Sequence, residues 1–119
     1  MAGKIIADQI EHSTAGSLDT SYVVQGSAKA WAETNAAGTS ILGSFGFSSM
    51  TDYSTGQQQM FLSNAMTNVF YSRLATGENT AVSWEWTDSA TTTSFIHYFN
   101  NESTYVDGGV CYGVMGDLA

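Results

Sequence analysis

From residue 20 onward, short runs of alternating polarity follow one another, broken by turn chemistry. They fall at 20–25 (TSYVVQ), 27–35 (SAKAWAETN), 40–51 (SILGSFGFSSMT), 57–63 (QQQMFLS), 69–76 (VFYSRLAT), 80–88 (NTAVSWEWTD), 92–99 (TTSFIHYF) and 109–117 (GVCYGVMGD). The gaps carry NAAG, STG, TGEN, TDSAT and NNES. A period of two over so many short segments predicts seven to eight strands and little helix. The expected fold is all-β: an antiparallel β-sandwich, jelly-roll-like, over residues 21–119. Residues 1–20 read differently. Ile6 and Ile10 fit either a helix turn or one side of a strand, and a polar HSTAGSLDT exit follows. The segment is too short to fold alone, so it is expected to be an N-terminal arm that docks on a partner.

Alternation assigns faces to the strands. Ile41, Phe45 and Phe47 align; Val82, Trp84 and Trp86 align; Phe95 and Phe99 flank His97; Val110, Tyr112 and Val114 oppose Cys111 and Met115. Several strands are apolar on both sides. In a domain of this size, that pattern predicts one face for the core and another for a neighbouring subunit. The chain has no proline and only three basic residues. Exposed edge strands therefore lack their usual protection, which also fits association.

The stretch GSAKAWAETN, residues 26–35, is unusual. Ala28, Ala30 and Ala32 share one side; Lys29, Trp31 and Glu33 share the other. Two readings stand. The alanines make an intersubunit seam and Trp31 points into its own core, or the alanines lie beneath a large residue of the facing sheet, such as Trp84.

Composition narrows the function. The chain has 119 residues, 43% hydrophobic and 13% aromatic, enough for one domain with a core. Only 12% are charged, and Ser, Thr, Asn, Gln and Gly fill the surface instead. A formal charge of −8 repels phosphate backbones, so nucleic acid is not an expected partner. No run approaches the ~18 apolar residues of a membrane span, and MAGKIIADQI has no signal-peptide apolar stretch. The single cysteine, Cys111, excludes an intrachain disulfide and is expected to be a small buried hydrophobe.

No catalytic constellation emerges. There is no G-x-S-x-G elbow and no D-x-D-x-D-G loop, and His12 and His97 are too far apart in sequence for metal-ligand spacing. His97, between Ile96 and Tyr98, reads as a packed or surface side chain. Trp84 and Trp86 suit either a sandwich core or a sugar-stacking platform, with Glu85 or Asp88 binding hydroxyls. These two acids are the only close pair in a strand region. The expectation is a non-enzyme with no metal and no cofactor. Recognition is expected in the loops at 35–39, 52–57, 77–79, 88–92 and 100–108. The candidate receptor contacts are Tyr53, Tyr105, Asn101 and Glu102; the candidate anchoring and self-association contacts are Ile6, Ile10, Ala28, Ala30 and Ala32.

The run SYVVQGSAKAWAETNAAGTSILGSFGFSSMTDYSTGQQQMFLSNAM resembles a theme repeated in structural proteins of tailed bacteriophages, especially marine ones. The resemblance is carried by GSAKAW (Gly26 to Trp31), Gly38 and Thr39, by SSMTDYSTG (Ser48 to Gly56), and by Asn64, Ala65 and Met66. The closing TTTSFIHYFNNESTYVDGGVCYGVMGD fits too. Ala32 and Glu33 depart from the theme's bulky and polar pair. The resemblance implies a virion protein on the particle exterior: a tail-fibre or receptor-binding module, commonly a homotrimer. Its partners would be other tail or capsid proteins and a host surface glycan. A capsid decoration protein is the alternative, and a glycan-degrading fibre enzyme a more distant one.

Overall fold

The computed structural model describes residues 3, 6–77, 84–101 and 104–119, excepting the side chains of His12, residues 84–88 and Asn101. The chain is an all-β sandwich of antiparallel sheets. Among the described residues there are eleven strands and one short helix, where sequence predicts seven or eight strands. The excess comes from an N-terminal hairpin, a split of one predicted strand, and a two-residue strand near residue 104.

The N-terminal hairpin pairs β1 (Gln9–His12) with β2 (Gly16–Asp19). The run TSYVVQ, predicted as a strand, is instead the helix α1 (Thr20–Gly26). Its β-branched residues favour a strand only where a neighbouring strand pairs with them, and among the described residues none does. Local capping decides the outcome. The Asp19 carboxylate accepts from the Ser21 amide at 2.8 Å, and the Thr20 hydroxyl bonds Ala7 O at 2.9 Å. The sandwich proper therefore begins after α1, at Ala28, and not at residue 21.

One sheet has the order β4–β3–β11–β7, from β3 (Ala28–Thr34), β4 (Ile41–Phe45), β7 (Ser72–Gly77) and β11 (Val110–Met115). The second contains β5 (Phe47–Ser54), β6 (Gln57–Leu62), β8 (Trp84–Asp88), β9 (Ser94–Asn101) and β10 (Thr104–Tyr105). β9 is its hub: β6 pairs along residues 94–98 of β9, β10 continues at residues 100 and 101, and β8 pairs with residues 96–100. Predicted strand 40–51 is two strands, because Gly46 (φ 74°) turns the chain from the first sheet to the second. A side chain there would run into Lys29 O and Ala30 Cβ, so the turn needs glycine. The same turn puts Phe45 outside and Phe47 inside, although alternation aligned them.

The core lies between the sheets. Phe95 packs edge-on against Tyr112 (5.9 Å), Phe47 (6.2 Å) and Tyr71 (6.5 Å). Met60, Phe99, Val110 and Val114 close it. Ala30 and Ala32 belong to this core at 1% and 2% exposure, while Trp31 is 50% exposed. This corrects both parts of the seam reading. Ala30 and Ala32 cannot contact another chain, because they are buried within their own domain's core, and Trp31 points outward. Small residues are needed inward because Phe47 and Tyr112 already fill that layer.

The molecule measures 52 × 31 × 25 Å and its radius of gyration is 16.8 Å, against roughly 13.5 Å for a compact chain of this length. Strand β2 is exposed throughout and α1 buries no residue.

Candidate functional site

Three loops meet at one end of the sandwich. In the β5–β6 turn, the Gly56 amide donates to Asp107 Oδ1 at 2.7 Å. The Phe99 amide donates to Gly56 O, and the Val106 amide to Phe99 O. Beneath them, Gln58 Nε2 donates to Gly108 O and the Tyr112 hydroxyl donates to Gln58 Oε1, each at 2.8 Å. Gly38, from the loop after β3, is buried against Gln58 and Gly108. The loops at 35–39, 52–57 and 104–109 are thus tied into one rim. Tyr53 and Tyr105 stand exposed on it, and the Tyr105 ring lies 6.2 Å from that of Tyr98. Asn101 takes part through its backbone, in register with Thr104; Glu102 lies outside the described residues.

The N-terminal segment leaves from the opposite end. β3 starts there at Ala28, which is exposed, and the 62–71 and 116–119 segments share that end through the Met66–Leu118 bridge. A shallow groove between α1 and the sandwich is lined by Asp8, Asp19, Val24, Gln25 and Asp117. Hydrogen bonds hold the Asp19 carboxyl below the usual carboxylate range, chiefly the one from the Ser21 amide. Around this end, Ile6, Ile10, Tyr22, Val24 and Phe70 are all exposed. The predicted recognition loops do not all share one end. The 88–92 loop belongs to the arm end, where Thr92 O accepts from the Met66 amide and Thr91 O from the Tyr71 hydroxyl. Burial raises the Tyr71 pKa.

A third feature lies on the outside of the first sheet. The register places Phe45 beside Trp31, Trp31 beside Gly113, and Gly113 beside Leu74. These positions form a row across all four strands. Phe45, Trp31 and Leu74 are 61%, 50% and 54% exposed. Lys29 and Glu33 point the same way as Trp31, one on either side of it along β3. The Lys29 ammonium donates to Ser27 O and Ser27 Oγ. Cys111, in register with Glu33, is exposed on this face. That overturns the buried expectation: the inward positions of β11 belong to Val110, Tyr112 and Val114.

His97 is fully buried, its ring 5.3 Å from Tyr112 and perpendicular to it. Desolvation lowers its pKa to about 4, so at neutral pH it is an uncharged packing residue. The side chains of Trp84, Trp86, Glu85 and Asp88 lie outside the described residues, though all four positions are in β8. Among the described residues, no three of His, Cys, Asp and Glu gather as a metal ion requires, and no helix is long and apolar enough to cross a membrane.

Alternation alone could have found the Lys29–Trp31–Glu33 side of β3. It could not align Phe45 and Leu74 with Trp31, because cross-strand register is not written in one strand. Comparison with protein-family models, with curated proteins and with solved structures finds no match for this chain.

Proposed function

We propose that this chain is a non-catalytic bacteriophage virion protein, a tail-fibre or receptor-binding module. In this reading it is held on the particle by its N-terminal segment and meets the host with the rim at the far end. One observation carries the reading: the exposed apolar segment and the tyrosine-bearing rim occupy opposite ends of an elongated molecule. A part that must bridge two objects needs such an arrangement, and a catalyst needs instead a groove with convergent polar groups. The resemblance of GSAKAW and SSMTDYSTG to phage structural proteins supports the same reading and adds self-association, commonly as a trimer. Ile6 and Ile10 would seat in a tail or capsid protein. Tyr53 and Tyr105 would stack on a host glycan, each contact weak and made lasting by several copies.

An electron-microscopy map of the intact particle tests this. The expected result is a few copies on the tail, with residues 6–26 inward and Tyr53 outward. Many copies spread over the capsid surface would mean decoration instead, and absence from the particle would end the proposal.

A further inference from the structure

The outer face of the first sheet carries an apolar row with opposite charges on its two sides. We infer that this face binds a second copy of the same chain, around a two-fold axis lying along the Phe45–Trp31–Gly113–Leu74 row. The inference deepens the self-association part of the proposed function and rests on that reading.

The symmetry follows from the charges. Lys29 and Glu33 lie two residues from Trp31 in opposite directions, Glu33 about 6.8 Å along the strand and Lys29 at the register shift between β3 and β11. Two such faces can meet in two ways. With the strands parallel, Lys29 faces Lys29 and Glu33 faces Glu33. A parallel three-fold, the arrangement the resemblance implies, has the same defect. With the strands antiparallel, each Lys29 faces the other copy's Glu33, twice over. An axis along the row produces the antiparallel arrangement, since turning about a line perpendicular to the strands reverses them. An isologous contact of this kind is self-complementary, and matched charges set its orientation. The complementarity matters because each copy carries a formal charge of −8 and whole-molecule repulsion opposes any pairing.

About this axis each position of the row faces its own copy: Trp31 meets Trp31, Phe45 meets Phe45 and Leu74 meets Leu74. Gly113 faces Gly113 between them, and a side chain there would touch nothing nearer than Leu74 Cβ at 3.8 Å. Four strands about 4.8 Å apart and about five residues long give a footprint of roughly 300 Å² per copy. That is below a standard interface, so the pair is weak, micromolar or above. Many copies at high local concentration, as on a particle, would fill it.

The test uses the full chain in sedimentation equilibrium between about 1 μM and about 1 mM. A monomer–dimer equilibrium is expected. Monomer throughout, or a trimer, overturns the inference. The Lys29→Glu variant and the Glu33→Lys variant are then measured alone and mixed, with circular dichroism checking that both are folded. Each alone should dimerise roughly tenfold more weakly, because each sets like charges together. Mixed, they should form a heterodimer at least as tight as the wild-type pair, since the face with two acids then meets the face with two bases. Mixtures no tighter than the separate variants refute the axis. Alkylation of the Cys111 thiol should slow as dimer forms; an unchanged rate places the contact elsewhere. Particle composition decides the virion reading separately, so either idea can fail while the other stands.

Discussion

The two sides of the four-stranded sheet differ sharply. Inward, β3 offers Ala30, Ala32 and Thr34, and β11 offers Val110, Tyr112 and Val114, all buried. Outward, the same strands offer Lys29, Trp31, Glu33, Cys111 and Gly113. The larger apolar side chain of β3 is thus on the wet side, the reverse of ordinary patterning. The second sheet does not repeat this. On its outer face the register sets Ser49 beside Phe61, Gln59 beside Ile96 and Gln57 beside Tyr98; Phe61 and Tyr98 are half-buried and Ile96 is buried. That face mixes polar side chains with apolar ones that are already largely covered. An outer face bearing Trp31, Phe45 and Leu74 leaves apolar area in water that a partner can remove. The contrast teaches that the sandwich stabilises itself through one side of the sheet and leaves the other available.

The sharpest way to break this comparison is to damage the inner side. Phe95→Ala removes the ring on which Phe47, Tyr71 and Tyr112 all converge and should cost about 4 kcal/mol, read from urea unfolding. Acid should act next. The folded His97 pKa is about 4, against its usual 6.5. Above pH 6.5 neither state binds the proton and stability is full. As pH falls from there toward 4, the unfolded chain binds a proton that the folded chain refuses, so stability declines, by about 3 kcal/mol across the window. His97→Phe should flatten that part of the pH profile; an unchanged slope would mean that other groups set it. Ala32→Leu forces a larger side chain into the core beside Tyr112, its register partner on β11, and should cost about 2 kcal/mol in thermal or urea unfolding. The smallest effect belongs to the outer side. Leu74→Thr keeps a strand-favouring residue and should change monomer stability by no more than about 0.5 kcal/mol, while weakening concentration-dependent association in sedimentation. A loss as large as that of Ala32→Leu would show that the outer row serves the monomer's own fold.

Part of this was legible from patterning. The runs QQQMFLS, TTSFIHYF and GVCYGVMGD became β6, β9 and β11, because the period of two survives wherever a strand has one core side. For His97 the flanks left a packed and a surface side chain both open, and the fold buried it. The rest was not legible, for specific reasons. TSYVVQ reads as a strand by propensity, but the Asp19 cap started a helix there, with no pairing strand beside it among the described residues. SILGSFGFSSMT reads as one strand, but the positive φ of Gly46 cut it and reversed the faces of Phe45 and Phe47. Cys111 looked buried only because its neighbours are apolar.

What the amino-acid sequence determined by itself was the class: alternating short segments, turn residues between them and few charges, all properties of positions near each other along the chain. Only the tertiary structure decided which side of each strand met the core, which loops shared an end, and that Phe45, Trp31, Gly113 and Leu74 form one row. The reason is physical. A strand's alternation fixes two sides without saying which is inner, and that choice is made by pairing partners distant in the chain, whose combined side-chain volume fills one side and leaves the other to the solvent or to another molecule.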